Sequence, residues 1–196
     1  MKLLYSLSAI ASISIAAAEI APRLTSGAEF GGREFDYVVV GGGTAGLTIA
    51  ARLSEDPETT VGVIEAGDYF PDDPLINTPS LGLAISGNAT YDWLFKSVPQ
   101  VNVNERAIDL PRGKMLGGSS GINAMVFDRG SKSEYDGTVA LAPKEHGGVV
   151  DTKLKVYGTA NVRVADASIM PLHIGSHTQR TVYGIGEKAA KIIKST

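Results

Sequence analysis

Three glycines, Gly41, Gly43 and Gly46, stand in the spacing G-x-G-x-x-G, and Glu65 follows about 20 residues later. Residues of these types at this spacing suit the binding of a dinucleotide. Gly41 permits a tight turn, Gly43 leaves no side chain to obstruct a pyrophosphate, and Gly46 lets a helix pack closely on a strand. Thr44 and Ala45 complete the turn, and the free N–H groups of a helix start there would face phosphates favoured by the helix dipole. Glu65, with Ala66 after it, is placed to accept hydrogen bonds from ribose hydroxyls. A glycine-rich turn with an exposed glutamate is the bland alternative, and the flanking elements decide between the two.

Those elements are legible. Tyr37–Val40 is a short β-branched run without polar alternation, expected to form a strand buried on both faces of a parallel sheet. Leu47, Ile49, Ala50, Ala51 and Leu53 repeat at helical spacing as far as Ser54, and Pro57 bars the helix from continuing. Val61–Ile64 is a second buried strand, ending at Glu65. Together they make a βαβ unit of about 30 residues, whose crossover is expected to be right-handed. In this setting the glycines read as a dinucleotide site, yet they do not separate FAD from NAD.

A second glycine-rich stretch does. Gly117-Gly118 permits close backbone approach, while Ser119, Ser120 and Asn123 offer hydroxyls and an amide at the start of a short helix. Such a segment can line a cofactor, or can simply be a capped helix after a turn. Read in full, Arg112-Gly113-Lys114-Met115-Leu116-Gly117-Gly118-Ser119-Ser120-Gly121-Ile122-Asn123-Ala124-Met125-Val126-Phe127-Asp128-Arg129-Gly130 resembles the first signature of the glucose-methanol-choline (GMC) flavin oxidoreductases. Asp36 to Gly67 resembles the ADP-binding unit of that family, and Tyr91-Asp92-Trp93 the segment before its flavin-covering region. Gly148–Asp151, Val156–Gly158, Asn161–Pro171 and Tyr183–Ala190 resemble its C-terminal block. The similarity is strongest to the fungal branch of aryl-alcohol oxidases, glucose oxidase and secondary-metabolite dehydrogenases.

The resemblance implies an α/β fold, with a Rossmann-like parallel sheet of GMC type binding FAD in extended form. It implies the adenosine end on Gly41–Gly46, Glu65 and Ala66, and the flavin near Trp93, Met115, Ser119, Asn123, Ala124, Met125 and Val126. Asp166 and Ala167 would approach the pyrophosphate or ribityl region. In the family a small alcohol gives a hydride to flavin N5 while a histidine takes the hydroxyl proton. Oxygen or another acceptor then reoxidises the flavin. His177 falls where the family places an active-site His or Asn, and a histidine with its ordinary pKa of about 6.5 suits that proton transfer. His173 and His177 have H-x3-H spacing, but Gly175 lies between them and no carboxylate is close, so no metal site is assigned. His146 reads as a solvated turn residue.

One departure from the family matters. Its second active-site histidine lies in a segment H-x-x-G-T, of which only Gly137-Thr138 remains, directly after Tyr135-Asp136. Segments far apart in the family therefore adjoin here, and the substrate domain between them is largely missing. Three functions stay open: an alcohol oxidase or dehydrogenase, a non-redox cyclase of the same family, and an inactive FAD-binding remnant.

Composition sets the outer bounds. A chain of 196 residues with 43% hydrophobic and 20% charged residues is globular in character, and its net charge of -3 with no basic run gives no basis for a nucleic-acid or membrane-surface partner. Cysteine is absent, which removes disulfides and thiolate metal sites. Residues 1–18 read as a signal peptide, with Lys2, an apolar run from Leu3 to Ile15 and Ala16-Ala17-Ala18 as the cleavage site. That run is shorter than the ~20 residues of a membrane span. Residues 19–34 read as a leader, 35–136 as the N-terminal FAD-binding part, and 137–196 as the C-terminal block, with its own strand and terminal helix, that completes the domain. Asn88-Ala89-Thr90 is a glycosylation sequon, usable only along the secretory route. Protein recovered from culture medium is expected to begin near Glu19, as read by N-terminal sequencing. An intact Met1 form found only inside cells would contradict this.

Overall fold

The computed structural model describes residues 25–126, 139–171 and 177–196. The expected signal peptide, His173 and the Asp136/Gly137 junction lie outside the described residues. The chain divides into two units, one ending at Arg33 and the other running from Glu34 to Thr196. In the first, a short helix α1 spans Gly27–Gly31, and the Ser26 hydroxyl caps it by accepting the Glu29 N–H at 3.2 Å.

The second unit begins with the expected βαβ arrangement. Strands β1 (Tyr37–Val40) and β2 (Val61–Ile64) pair in parallel, with Tyr37 opposite Val61 and Val40 opposite Ile64. Helix α2 (Thr44–Leu53) connects them and ends with Ser54 as its C-cap. Asp36 fastens the entrance by accepting the Thr60 N–H and hydroxyl at 2.8 and 2.7 Å.

The expectation of burial on both faces does not hold. Tyr37 and Val39 are partly covered, whereas Val38 is 51% exposed, Val40 81% and Ile64 44%. Side chains alternate across a strand, so a layer on one side covers only every second residue. Among the described residues this sheet has two strands, with α2 supplying cover for one face. The β-branched run is that of a strand covered on both sides; the second cover is not among the described elements.

Beyond β2, helix α3 (Pro74–Asn77) starts at Asp73, whose carboxylate accepts the Leu75 N–H at 2.9 Å. Strands β3 (Phe95–Lys96) and β4 (Asp109–Leu110) form a small antiparallel ribbon. A core of Ile85, Tyr91, Met115 and Ile122 supports this region.

Residues 139–171 do not form the regular strand expected there. They are held by isolated bridges of Leu141 with Val150, Val150 with Val156, and Lys155 with Arg163. The cause is local. Asp151 accepts the N–H groups of Lys153 and Lys155 at 2.8 and 2.9 Å, and Leu154 and Gly158 take φ of 64° and 84°. Such turns interrupt an extended run however β-branched it is.

The chain closes with helix α4 (Gln179–Lys194), which lies against α2. Ile49 and Leu53 of α2, Ala189 of α4, and Val150, Leu154 and Ile169 share the main core. The helices touch through small residues: a Cβ at Gly186 would come within 2.8 Å of Thr48 Cβ and 3.1 Å of the Ala45 carbonyl oxygen. On the rim, Arg52 joins Glu187 and Glu55, and Lys194 reaches Glu55 at 3.0 Å. Among the described residues no helix is long and apolar enough to cross a membrane.

Two glycines of α4 should respond oppositely to alanine. Nothing lies within 4 Å of a Cβ at Gly184, so Gly184→Ala should gain about 0.5–1 kcal/mol from helix propensity. At Gly186 the same gain meets a close backbone-level contact, and overpacking of about 1–3 kcal/mol should reverse it. Denaturant unfolding of both variants checks the sign; a stabilised Gly186→Ala would refute the α2–α4 contact.

Candidate cofactor-binding site

The glycines at the end of β1 have distinct duties. Gly41 closes the strand by donating its N–H to the Ile64 carbonyl at 2.7 Å, and its φ of 100° belongs to the region that glycine occupies freely. Gly46 is a packing residue: a Cβ there would sit 2.0 Å from the Gly41 oxygen and 3.1 Å from Val39 Cγ1. Gly43 is the N-cap of α2, extended, with no side-chain cap, and a Cβ there would meet only Gly118 Cα, at 3.9 Å. Its N–H and those of the first turn are therefore open to an outside acceptor.

Glu65 does more than was expected of it. One carboxylate oxygen accepts the Gly42 N–H at 2.7 Å and the other the Gly67 N–H at 2.9 Å. It thereby binds the end of β1 to the loop after β2. Each oxygen keeps further lone-pair capacity, so ribose hydroxyls can still be accepted there. Ala66 beside it is exposed.

The stretch 113–126 forms the third loop of this junction. Gly117 donates its N–H to Gly42 at 2.7 Å, and Leu116 donates to Asp68 at 2.9 Å. A Cβ at Gly67 would lie 2.1 Å from the Lys114 carbonyl carbon, and one at Gly118 would lie 2.8 Å from Gly43 Cα. Met115 is buried beneath, and the hydroxyls of Thr44 and Ser120 are hydrogen-bonded to each other. The short helix expected at Ser119 is a 3-10 turn of three residues, Gly118–Ser120. Ser119 is directed to its own loop, accepting the Gly113 N–H at 3.2 Å. Asn123 follows, accepting the Met125 N–H at 2.9 Å and donating to the Val126 carbonyl at 3.0 Å. It also donates to Gln179, the first residue of α4. Ala124 is half-buried, while Met125 and Val126 are exposed.

Gly41, Gly43, Thr44, Ala45, Gly46, Glu65, Met115, Ser119 and Asn123 thus belong to one continuous junction. His177 is exposed and stands just before α4, two residues from the tethered Gln179. Trp93 and Asp166 are held by their own surroundings. The Trp93 ring stacks on Phe95 with centroids 6.1 Å apart, and the Lys114 ammonium lies 5.3 Å from its centre. Asp166 caps the 3-10 turn Ala167–Ile169 through the Ser168 N–H at 2.8 Å. Gly67, Gly113, Asp92 and Gln179 were not singled out from sequence. A glycine directly after Glu65-Ala66 was the available signal for Gly67; nothing local marks Gln179.

Asp92 is a charge only 3% exposed. One oxygen accepts the N–H groups of Leu94 and Arg112, both at 3.0 Å, and the other that of Gly87 at 3.1 Å. Burial pushes its pKa upward, but the three N–H donors outweigh this and hold the carboxyl below the usual carboxylate value. A depressed folded pKa means stability that is present above the unfolded value, about 3.9, and is lost as pH falls through the folded one. Asp92→Asn places an NH2 against a backbone donor and should cost about 1–3 kcal/mol at neutral pH. It should also flatten the acid limb of unfolding below about pH 4. Thermal melts of both chains from pH 2 to pH 7 test this, and parallel acid limbs would count against it.

A model of the N-terminal part of the GMC oxidoreductases matches residues 35–137, and one of their C-terminal part matches residues 101–186. Dehydrogenase mpl7 of Monascus purpureus is 52% identical over 102 residues, which cover 52% of this chain and 16% of that protein. An alcohol dehydrogenase [acceptor] of Pseudomonas putida is 49% identical over 102 residues, covering 52% of this chain and 18% of the relative. Among solved structures, Aspergillus oryzae formate oxidase, studied for the modification of its FAD, shares 45% identity with a TM-score of 0.46, over 52% of this chain and 18% of that one. The chain thus spans about a fifth or less of the length of these relatives. With over half of its residues matched by the N-terminal family model alone, the chain belongs to the GMC oxidoreductase family.

Proposed function

We propose that this chain is the FAD-holding part of an oxidoreductase that acts on the CH–OH group of a small alcohol. FAD is the cofactor of the family, and the residues present fit it. The observation that carries the reading is Gly43. Its φ of -85° suits any residue and a Cβ there has space, so the chain itself does not require glycine. An external group lying against its backbone does. Gly43, Thr44 and Ala45 would then donate to the pyrophosphate, Glu65 would accept from the ribose, and the 119–126 loop would face the flavin. Met115, buried in the core with Ile85 and Tyr91, would support that loop from beneath and not touch the flavin as the resemblance implied. Asp166 and Ala167 are proposed for the ribityl side.

When bound, FAD supplies the two-electron acceptor for the alcohol hydride. His177 would hold the hydroxyl proton of the substrate from a position just before α4. Oxygen or another acceptor is the proposed oxidant. Secretion rests on residues 1–18, and glycosylation at Asn88 on the sequon, in which Thr90 is exposed and Asn88 is half-buried, its side-chain oxygen accepting the Thr90 N–H at 3.0 Å. A second reading, an FAD-binding remnant without turnover, is favoured by a specific observation: His177 is exposed, and the H-x-x-G-T histidine is absent from the sequence. The non-redox cyclase is the third, distinguished by reducing no dye.

Gly43→Ala should leave the melting temperature near that of the parent and lower flavin content after gel filtration by tenfold or more, whereas Gly46→Ala should impair folding itself. Equal flavin content in Gly43→Ala and parent would remove the cofactor assignment. Dye reduction by the FAD-loaded chain with aromatic and simple alcohols, against free FAD, then separates the readings. Turnover lost in His177→Ala supports the oxidoreductase, and a rate no higher than free FAD supports the remnant.

A further inference from the structure

The two sequence blocks of the site meet in one pair of side-chain amides. Asn123 lies in the loop after the Gly118–Ser120 turn, and Gln179 opens α4, 56 residues later. The Asn123 oxygen accepts from Met125 N–H and its nitrogen donates to the Val126 carbonyl, so both local bonds fix which end of that amide is which. Its remaining N–H is directed at Gln179, which must therefore present an acceptor, and Oε1 is the atom found there. These bonds clamp Ala124 and Met125, which have φ of 51° and 59°, a region that residues with a Cβ rarely adopt. The turn also rests on Gly82, where a Cβ would come 3.0 Å from Ala124 Cα.

We propose that Gln179 is a positioning residue whose side-chain oxygen holds Asn123, and through it the left-handed Ala124-Met125 turn, in fixed register with the segment bearing His177. The function required at position 179 is acceptance of a hydrogen bond, not bulk. Only the description of this turn as flavin-facing rests on the FAD reading above.

Gln179→Leu keeps the size and removes the acceptor, whereas Gln179→Glu keeps the acceptor. In the full chain without cofactor, amide hydrogen exchange at Met125 should quicken up to about tenfold in Gln179→Leu, the effect of one net hydrogen bond, and return close to parent in Gln179→Glu. Exchange at buried Leu53 reports whether the fold is kept, and Gln179→Ser serves in place of Gln179→Leu if the latter does not fold. Unchanged Met125 exchange on removing the acceptor, or equal quickening in Gln179→Glu, would overturn the tether. With FAD added, the dissociation constant should rise about tenfold in Gln179→Leu and recover in Gln179→Glu. Quickened exchange with unaltered FAD affinity would overturn the flavin-facing role. A parent chain that binds no FAD would instead count against the function proposed above, leaving exchange to decide the tether.

Discussion

Three loops approach one another backbone to backbone at the carboxyl ends of β1 and β2, and everything around the site depends on that closeness. Gly46 lies under the Gly41 carbonyl, Gly67 against Lys114, and Gly118 against Gly43, at separations where a Cβ would overlap a neighbouring atom. Nothing but hydrogen replaces those atoms without moving main chain. The loops are then stitched by Gly117 N–H to Gly42, Leu116 N–H to Asp68, and the two N–H groups on the Glu65 carboxylate. Glycine carries an entropic cost on ordering, and the hydrogen bonds and the burial of Met115 offset it. The outcome is a rigid ledge of backbone donors at the start of α2.

The remainder of the molecule divides into what supports that ledge and what is left uncovered. Support comes from α4, which packs on α2 through Gly186 and Ala189. Uncovered are Val38, Val40 and Ile64 on the other face of the sheet. Burying a valine or isoleucine fully contributes about 1.5–3 kcal/mol relative to leaving it exposed. At their exposures of 51%, 81% and 44% these three positions together forgo about 3–5 kcal/mol, a sizeable share of the stability of an ordinary domain, about 5–15 kcal/mol. The stability of this unit consequently rests on the α2–α4 core and on the smaller core of Ile85, Tyr91, Met115 and Ile122.

The parts of this architecture that were legible in sequence are those determined by neighbours along the chain. β1, α2 and β2 follow from periodicity and from Pro57, and the glycine spacing indicates the site because each glycine acts within a few residues of its place. Other features depend on distant partners. Tyr37–Val40 has the composition of a doubly covered strand, but burial is decided by which layers are present, and β-branching does not report that. The strand expected within the C-terminal block does not form, because Asp151 closes its own turn and Leu154 turns left-handed. Gln179 is a common polar residue whose meaning appears only when Asn123 faces it across 56 positions.

Cofactor binding and chemistry separate physically for the same reason. The junction proposed for the adenosine end is built from short-range turns of the βαβ unit and the 113–121 loop stitched together. The reacting end requires groups from remote segments to converge on one substrate atom. A general base is typically worth about 10²–10⁴-fold, and only when the substrate is held within hydrogen-bond reach. Holding it there contributes up to about 7–11 kcal/mol, the larger share. On the function proposed above, His177 would supply the first kind of contribution from an exposed position just before α4, and walls around the substrate the second. On that reading a chain can retain the backbone ledge proposed for the dinucleotide while its histidine has no substrate held against it, which makes FAD affinity and turnover separable.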